Sequence, residues 1–424
     1  MFLKRLLPLT LALTLGASLH AAPQVELLEA AQREQPALLE TLAQLCTIES
    51  GSRELAGLQQ VAELLAARLK SLGGEVELLE PSEVYRMDDT PEQLGRNVKA
   101  VFRGKGDKRL LLIAHMDTVY PAGMLASQPF GLRDDRVYGL GIADDKQGLA
   151  VVLHVLGMLN SIGYEGYGQI TVLFNADEEI SSPGSRALLS RLGAEHDAVM
   201  SFEGSGANND KLSLATAGIA SVGLTVHGRA AHAGGAPMFG VNALYELSHQ
   251  ILQMRDLSDP AIGVKLNWTM ARAGIVRNMI PPLASAEADV RVLRVKDYDE
   301  LEQKLQERIQ YRLLPEARVQ LKFERRRPPL EATDASRAFG QHAKAVYAEL
   351  GLDLRVDDVA EGGGTDAAFA ALRTRAPVVE RFGLRGAGAH STDAEYVLIS
   401  SIVPRLYLAA RMIVEFSEGR VAAH

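Results

Sequence analysis

LLLIAHMDT, residues 110–118, runs five apolar residues directly into His115, Met116 and Asp117. An unbroken apolar run of this length, without polar alternation, suits a strand buried on both faces, as in a parallel sheet covered by helices. The flanking sequence has the matching pattern. Residues 25–74 carry helical periodicity and end at Gly73-Gly74, Lys146 to Leu159 reads as a helix, and Ile170 to Asn175 and Ala198 to Phe202 read as strands. Strands alternating with helices in this way predict an α/β fold with a mixed, largely parallel sheet.

The pattern changes at about residue 217. Up to about 328 there are strands of period-two character (Ala220 to His227, Val264 to Ala273, Ala284 to Leu293, Val319 to Arg325), with helical stretches near 241–256 and 297–312. That mixture predicts a small α+β domain of antiparallel type inserted into the larger one. The α/β pattern resumes with a helix at Ala335 to Leu350, a strand at Val378 to Phe382 and a closing helix at Ile402 to Glu415. The expected division is a segment 1–22, an α/β domain formed by 23–216 and 329–424, and the insert 217–328.

Segment 1–22 reads as an export signal. Lys4 and Arg5 precede an apolar run from Leu6 to Leu19, and Ala21-Ala22 supplies small residues for cleavage. A periplasmic or secreted location follows as an expectation. The formal net charge of −8 over 424 residues disfavours a polyphosphate partner, so nucleic acid is not expected. An anionic substrate would have to be drawn in by local basic residues. The single cysteine, Cys46, lies in a helix-like run and reads as a small buried hydrophobe, so a metal site would have to use His, Asp and Glu.

Candidate ligands of that kind sit where predicted strands end. His115 and Asp117 follow the first strand, Asp177-Glu178-Glu179 the second and Glu203 the third, while Asp144 lies in the loop GIADDKQG (141–148) and His390 in a glycine-rich loop. In open α/β sheets ligands collect outside the carboxyl ends of the strands. Two imidazoles and three carboxylates suit two zinc ions sharing one carboxylate, whereas all-oxygen sites would suit magnesium or calcium.

The segments HMDTV (115–119), GIADDKQG (141–148), FNADEE (174–179), SFEG (201–204) and GAGAHSTDAEY (386–396) resemble the zinc exopeptidase family of glutamate carboxypeptidase, aminoacylase-1 and succinyl-diaminopimelate desuccinylase. Within it the chain is most similar to the bacterial folate-hydrolysing glutamate carboxypeptidases, nearly end to end, including KLSLATAGIA (211–220), RAAHAGGAP (229–237) and GGGTDAA (362–368). The resemblance implies two zinc ions per subunit. His115 and Glu203 would hold one, His390 and Glu179 the other, with Asp144 bridging. Asp117 would orient the His115 imidazole, Glu178 would be the general base, and the Asp144-Asp145 peptide would be cis.

From the insert, the resemblance implies that His232 stabilises the oxyanion in the active site of a partner subunit, and that Arg291, assisted by Asn278, binds the substrate's α-carboxylate. Lys211 and Arg327 would read a glutamate side chain, although the run Arg325-Arg326-Arg327 could equally be a solvated hinge. The expected protein is a homodimeric di-zinc carboxypeptidase that cleaves N-acyl-L-glutamates such as folates. The alternatives are a general aminoacylase or dipeptidase with the same machinery, or an inactive zinc-dependent binding protein.

Overall fold

The computed structural model describes residues 22–391 and 394–421. The expected export signal lies outside them, except for Ala22. Among the described residues no helix is long and apolar enough to cross a membrane.

The strand that decides the fold, Arg109–His115, is buried from Leu110 onward. It lies in a six-stranded sheet in the order Glu75–Leu79, Asn97–Arg103, Gln169–Asn175, Arg109–His115, Ala198–Ser201, Val378–Val379. Arg109–His115 pairs in parallel with both neighbours, and Val378–Val379 pairs in parallel with Ala198–Ser201. Asn97–Arg103 is antiparallel to Gln169–Asn175, so the sheet is mixed. Helices Val25–Cys46, Leu55–Ser71, Gln147–Ser161 and Ile402–Ser417 contribute Leu42, Leu65, Val152 and Leu406 to the large core on one face. A smaller cluster on the other face includes Leu111, Ile113, Leu189 and Phe369. Cys46 is fully buried in the large core. Because the three strands that precede the acidic motifs run in parallel, their carboxyl ends share one edge of the sheet.

A second sheet is antiparallel throughout, in the order Lys265–Ala273, Leu283–Val292, Gly218–His227, Arg318–Arg327. Gly218–His227 alternates buried and half-buried residues along its whole length, the period of a sheet covered on one face. The cover is formed by helices Ala243–Gln253 and Lys296–Arg308, which bury Leu247, Tyr298, Leu301 and Leu305 with Val222, Leu224 and Val290. The outer strand Lys265–Ala273 and the residues after it stay open, with Met270, Ile275 and Val276 exposed.

The strand expected over Val378 to Phe382 stops at Val379. Glu380 instead bridges Ser213, and Arg381 turns into the left-handed region at φ 72°. That departure shapes the site.

Candidate metal centre

The turn after Gln169–Asn175 solves a geometric difficulty. Adjacent residues on a regular strand point to opposite faces, yet Glu178 and Glu179 are consecutive. Here Glu178–Ile180 forms a single helical turn just past the strand end. The carboxylate of Asp117 holds this turn: its Oδ1 accepts from the Glu178 N–H and its Oδ2 from the Glu179 N–H, each at 3.0 Å. The Ser52 hydroxyl donates to Oδ2 at 2.7 Å. Asp117 also lies 3.3 Å from His115 Nδ1, which is 3.0 Å from the Asp117 carbonyl oxygen. Its larger role is thus to clamp the Glu178-Glu179 backbone, which the sequence did not reveal.

His115 Nε2 is 3.0 Å from Asp144 Oδ1 and 3.6 Å from Glu203. His390 Nε2 is 3.1 Å from Asp144 Oδ2 and 3.3 Å from Glu179. Two groups able to hold a metal ion result, His115–Asp144–Glu203 and Asp144–Glu179–His390, and they share Asp144. With one carboxylate oxygen facing each imidazole, the donor set fits two ions with nitrogen and oxygen ligands. Glu179 supports the same fit, since its buried Oε1 has no hydrogen-bond partner.

The loop carrying Asp144 is pinned by Glu395, which accepts from the N–H groups of Ala143 (2.7 Å) and Asp144 (3.0 Å) and from the Tyr120 hydroxyl (2.6 Å). The Asp144-Asp145 peptide is cis, as the resemblance implied. Gly388, at φ 81°, turns the chain just before His390 in a conformation that favours glycine.

Crowding of buried acids has electrostatic consequences. Burial, reinforced by repulsion from Asp144, pushes Glu179 up to about 7 and raises Glu203 well above the carboxylate range. Burial also raises Glu178 strongly, against the pull of Arg327. Asp144 and Glu179 hold His390 protonated up to about 10.

Glu178 completes the floor beside these groups without belonging to either. It lines the same cavity, of about 480 Å³, as Asp144, Glu179, Glu203 and His390. Arg327, at the end of Arg318–Arg327, donates to Glu178 Oε1 and to its carbonyl oxygen, both at 2.5 Å. It also lies 3.4 Å from Asp366. Arg327, which the resemblance offered as a reader of a glutamate side chain, is thus buried and paired with Glu178 and Asp366 in this structure. Lys211, offered for the same role, is also paired: its buried ammonium sits 2.6 Å from Glu361 and 3.4 Å from Asp357.

Arg291 is half-buried, clamped by both oxygens of Asp289 at 2.9 and 3.0 Å, and donates at 3.0 Å to the carbonyl of Gly362. It thus reaches the glycine loop whose next residues, Gly363 and Gly364, line the cavity. His232 and Asn278 lie together on the second sheet's connections, where Ala233 N–H donates to the Asn278 carbonyl. Both are exposed, and neither lines the cavity of its own chain.

Residues 111–415 match the model of peptidase family M20/M25/M40. The chain is 44% identical over 412 residues to carboxypeptidase G2 of Pseudomonas sp. (strain RS-16), covering 97% of each. Among solved structures it resembles a tripeptidase from Staphylococcus aureus (TM-score 0.74, 21% identity, 91% of this chain and 99% of that one). It also resembles a metallo-carboxypeptidase of Sulfolobus solfataricus (TM-score 0.70, 16% identity, 91% and 99%).

Proposed function

The chain belongs to peptidase family M20/M25/M40, and from that premise we propose that it is a di-zinc carboxypeptidase which releases C-terminal glutamate from N-acyl-L-glutamates, folates included. That it is a metallopeptidase of glutamate carboxypeptidase type follows from its likeness to carboxypeptidase G2. The zinc count, the folate-type substrate and the residue roles are the proposal. The observation that carries it is the pair of ligand groups hinged on Asp144, with Glu178 beside them and outside both.

In this reading His115, Glu203 and Asp144 hold one ion and His390, Glu179 and Asp144 the other. Bound zinc would supply polarisation of the scissile carbonyl and acidification of the attacking water. Glu178 takes the proton from that water as its oxygen bonds to the carbonyl carbon. It then delivers the proton to the amide nitrogen as the C–N bond breaks, freeing an acid and glutamate. Asp117 fixes the turn that aims Glu178, and Arg327 restrains its carboxylate. Arg291, with its planar fork near the glycine loop, receives the α-carboxylate.

His232 and Asn278 would complete the site of a second subunit, since they are exposed on the second sheet and outside their own cavity. A homodimer paired through the open edge Lys265–Ala273 would provide that arrangement. Export to the periplasm or medium belongs to the same proposal and rests on the Lys4-Arg5 and Leu6 to Leu19 pattern.

The test is hydrolysis of a panel of N-acyl amino acids by zinc-loaded protein. N-acyl-glutamates, pteroyl-glutamate among them, should be cleaved fastest. Equal rates for N-acyl-alanine and N-acyl-glutamate would favour a general aminoacylase.

A further inference from the structure

Arg381 occupies an unusual place in the fold. Its neighbours on both sides are fixed: Glu380 N–H donates to the Ser213 carbonyl at 2.9 Å, and Phe382 N–H to the Ser201 carbonyl at 3.0 Å. Between these anchors the backbone of Arg381 is left-handed, at φ 72°, a conformation unfavourable for an L side chain. Arg405 donates to the Arg381 carbonyl at 2.7 Å and so fixes the turn from below. The consequence is that a long cationic side chain leaves the sheet and lines the cavity that holds Asp144, Glu178, Glu179 and Glu203. An unfavourable backbone held in place by its surroundings is a reason to look for function.

The guanidinium is directed by one contact, donating from Nη1 to the Gly204 carbonyl at 2.6 Å, next to Glu203. Among the described residues no carboxylate lies within 4.0 Å of it, whereas Lys211 and Arg327 each have two and Arg291 has one. Among the described residues, Arg381 and His390 are the only basic ones lining this cavity. Two dications, if bound, would balance the cavity's four carboxylates and leave Arg381 as a further positive charge with donors to offer. Glycines at 204, 206, 363 and 364 leave the wall around it without side chains.

We propose that Arg381 reads the side-chain carboxylate of the substrate's C-terminal residue and thereby sets the preference for glutamate. The inference rests on the carboxypeptidase function proposed above. It gives to Arg381 the role that the resemblance offered to Lys211 and Arg327, which have carboxylate partners here.

The experiment compares kcat/KM for N-acyl-glutamate and N-acyl-alanine in wild type, Arg381→Ala and Arg381→Lys, each loaded with zinc and checked for folding by its thermal midpoint. Binding of N-acyl-glutamate to the same variants is measured calorimetrically in a Glu178→Gln background. The glutamate-to-alanine ratio should fall about 10²-fold in Arg381→Ala, as expected when a partner of a buried charge is removed. It should fall about tenfold in Arg381→Lys, which keeps the charge and loses the fork, and calorimetric affinity should follow the same order. If Arg381→Ala does not fold, the Arg381→Lys ratio and affinity alone decide. An unchanged ratio, including an equal fall for both substrates, overturns the assignment to Arg381. A wild type that does not prefer glutamate overturns the substrate reading itself, before any variant is compared.

Discussion

Replacing Asp117 by Asn removes a charge and one acceptor from a completely buried position while keeping its shape. The carboxylate now receives the N–H groups of Glu178 and Glu179 and the Ser52 hydroxyl. An amide has only one oxygen. If its NH₂ takes the Oδ2 position, Ser52 can rotate to accept from it, but the Glu179 N–H is left facing a donor. If the NH₂ takes the Oδ1 position, the Glu178 N–H is stranded and His115 Nδ1 meets a donor at 3.3 Å. The first arrangement is cheaper. It strands one buried N–H, at about 1–3 kcal/mol, and weakens the remaining bonds by removing their charge assistance. A destabilisation of about 2–4 kcal/mol follows. Because the stranded group belongs to the turn carrying Glu178 and Glu179, zinc occupancy and activity should fall with it. Urea unfolding of metal-stripped protein gives the stability, and zinc analysis with glutamate release gives the rest. An Asp117→Asn protein as stable and as active as wild type would refute the clamp.

Glu178→Gln should keep its zinc yet lose about 10²–10⁴-fold in kcat, the range for a general acid–base group. Glu179→Gln should lose metal, and matching metal contents in the two variants would show the roles to be misassigned. The metal-free protein should become less stable as pH rises. Glu179, raised to about 7, costs stability as pH climbs from near 4.5 to 7, and His390, raised to about 10, contributes stability below 6.5 that is lost through 10. Thermal midpoints at several pH values should show this decline, and zinc should offset it increasingly at higher pH because binding releases those protons. A stripped protein that gains stability between pH 6 and 9 contradicts the electrostatic account. Mixing inactive His232→Ala with inactive Glu178→Gln subunits should restore activity in heterodimers that hold one intact composite site. No recovery, despite demonstrated subunit exchange, rules out His232 acting in trans.

Local patterns carried much of this structure in the sequence. The apolar run before His115 and the period-two strand Gly218–His227 are set by burial, which sequence periodicity reports directly. Ligand-type residues at strand ends were visible for the same reason, because parallel strands bring their carboxyl ends to one edge. Pairing between distant segments was not visible. Nothing near Arg327 announces that it meets Glu178, 149 residues away, and nothing near Lys211 announces Glu361. For that reason neither ion pair could be read from the sequence. Arg381 was hidden differently: an apparent strand from Val378 to Phe382 concealed a left-handed turn enforced by Ser213 and Ser201. Asp117 was recognised as a neighbour of His115, but its hold on the Glu178-Glu179 turn depends on contacts 61 and 62 residues apart.

The central claim is that the two groups sharing Asp144 bind two zinc ions that act together. It is tested most directly by stripping the protein with chelator and titrating zinc back while following glutamate release from pteroyl-glutamate. The account predicts no activity in the stripped protein and recovery that saturates at about two equivalents of zinc per chain, as a two-metal site requires. Full activity without metal, or saturation at one equivalent, would contradict it.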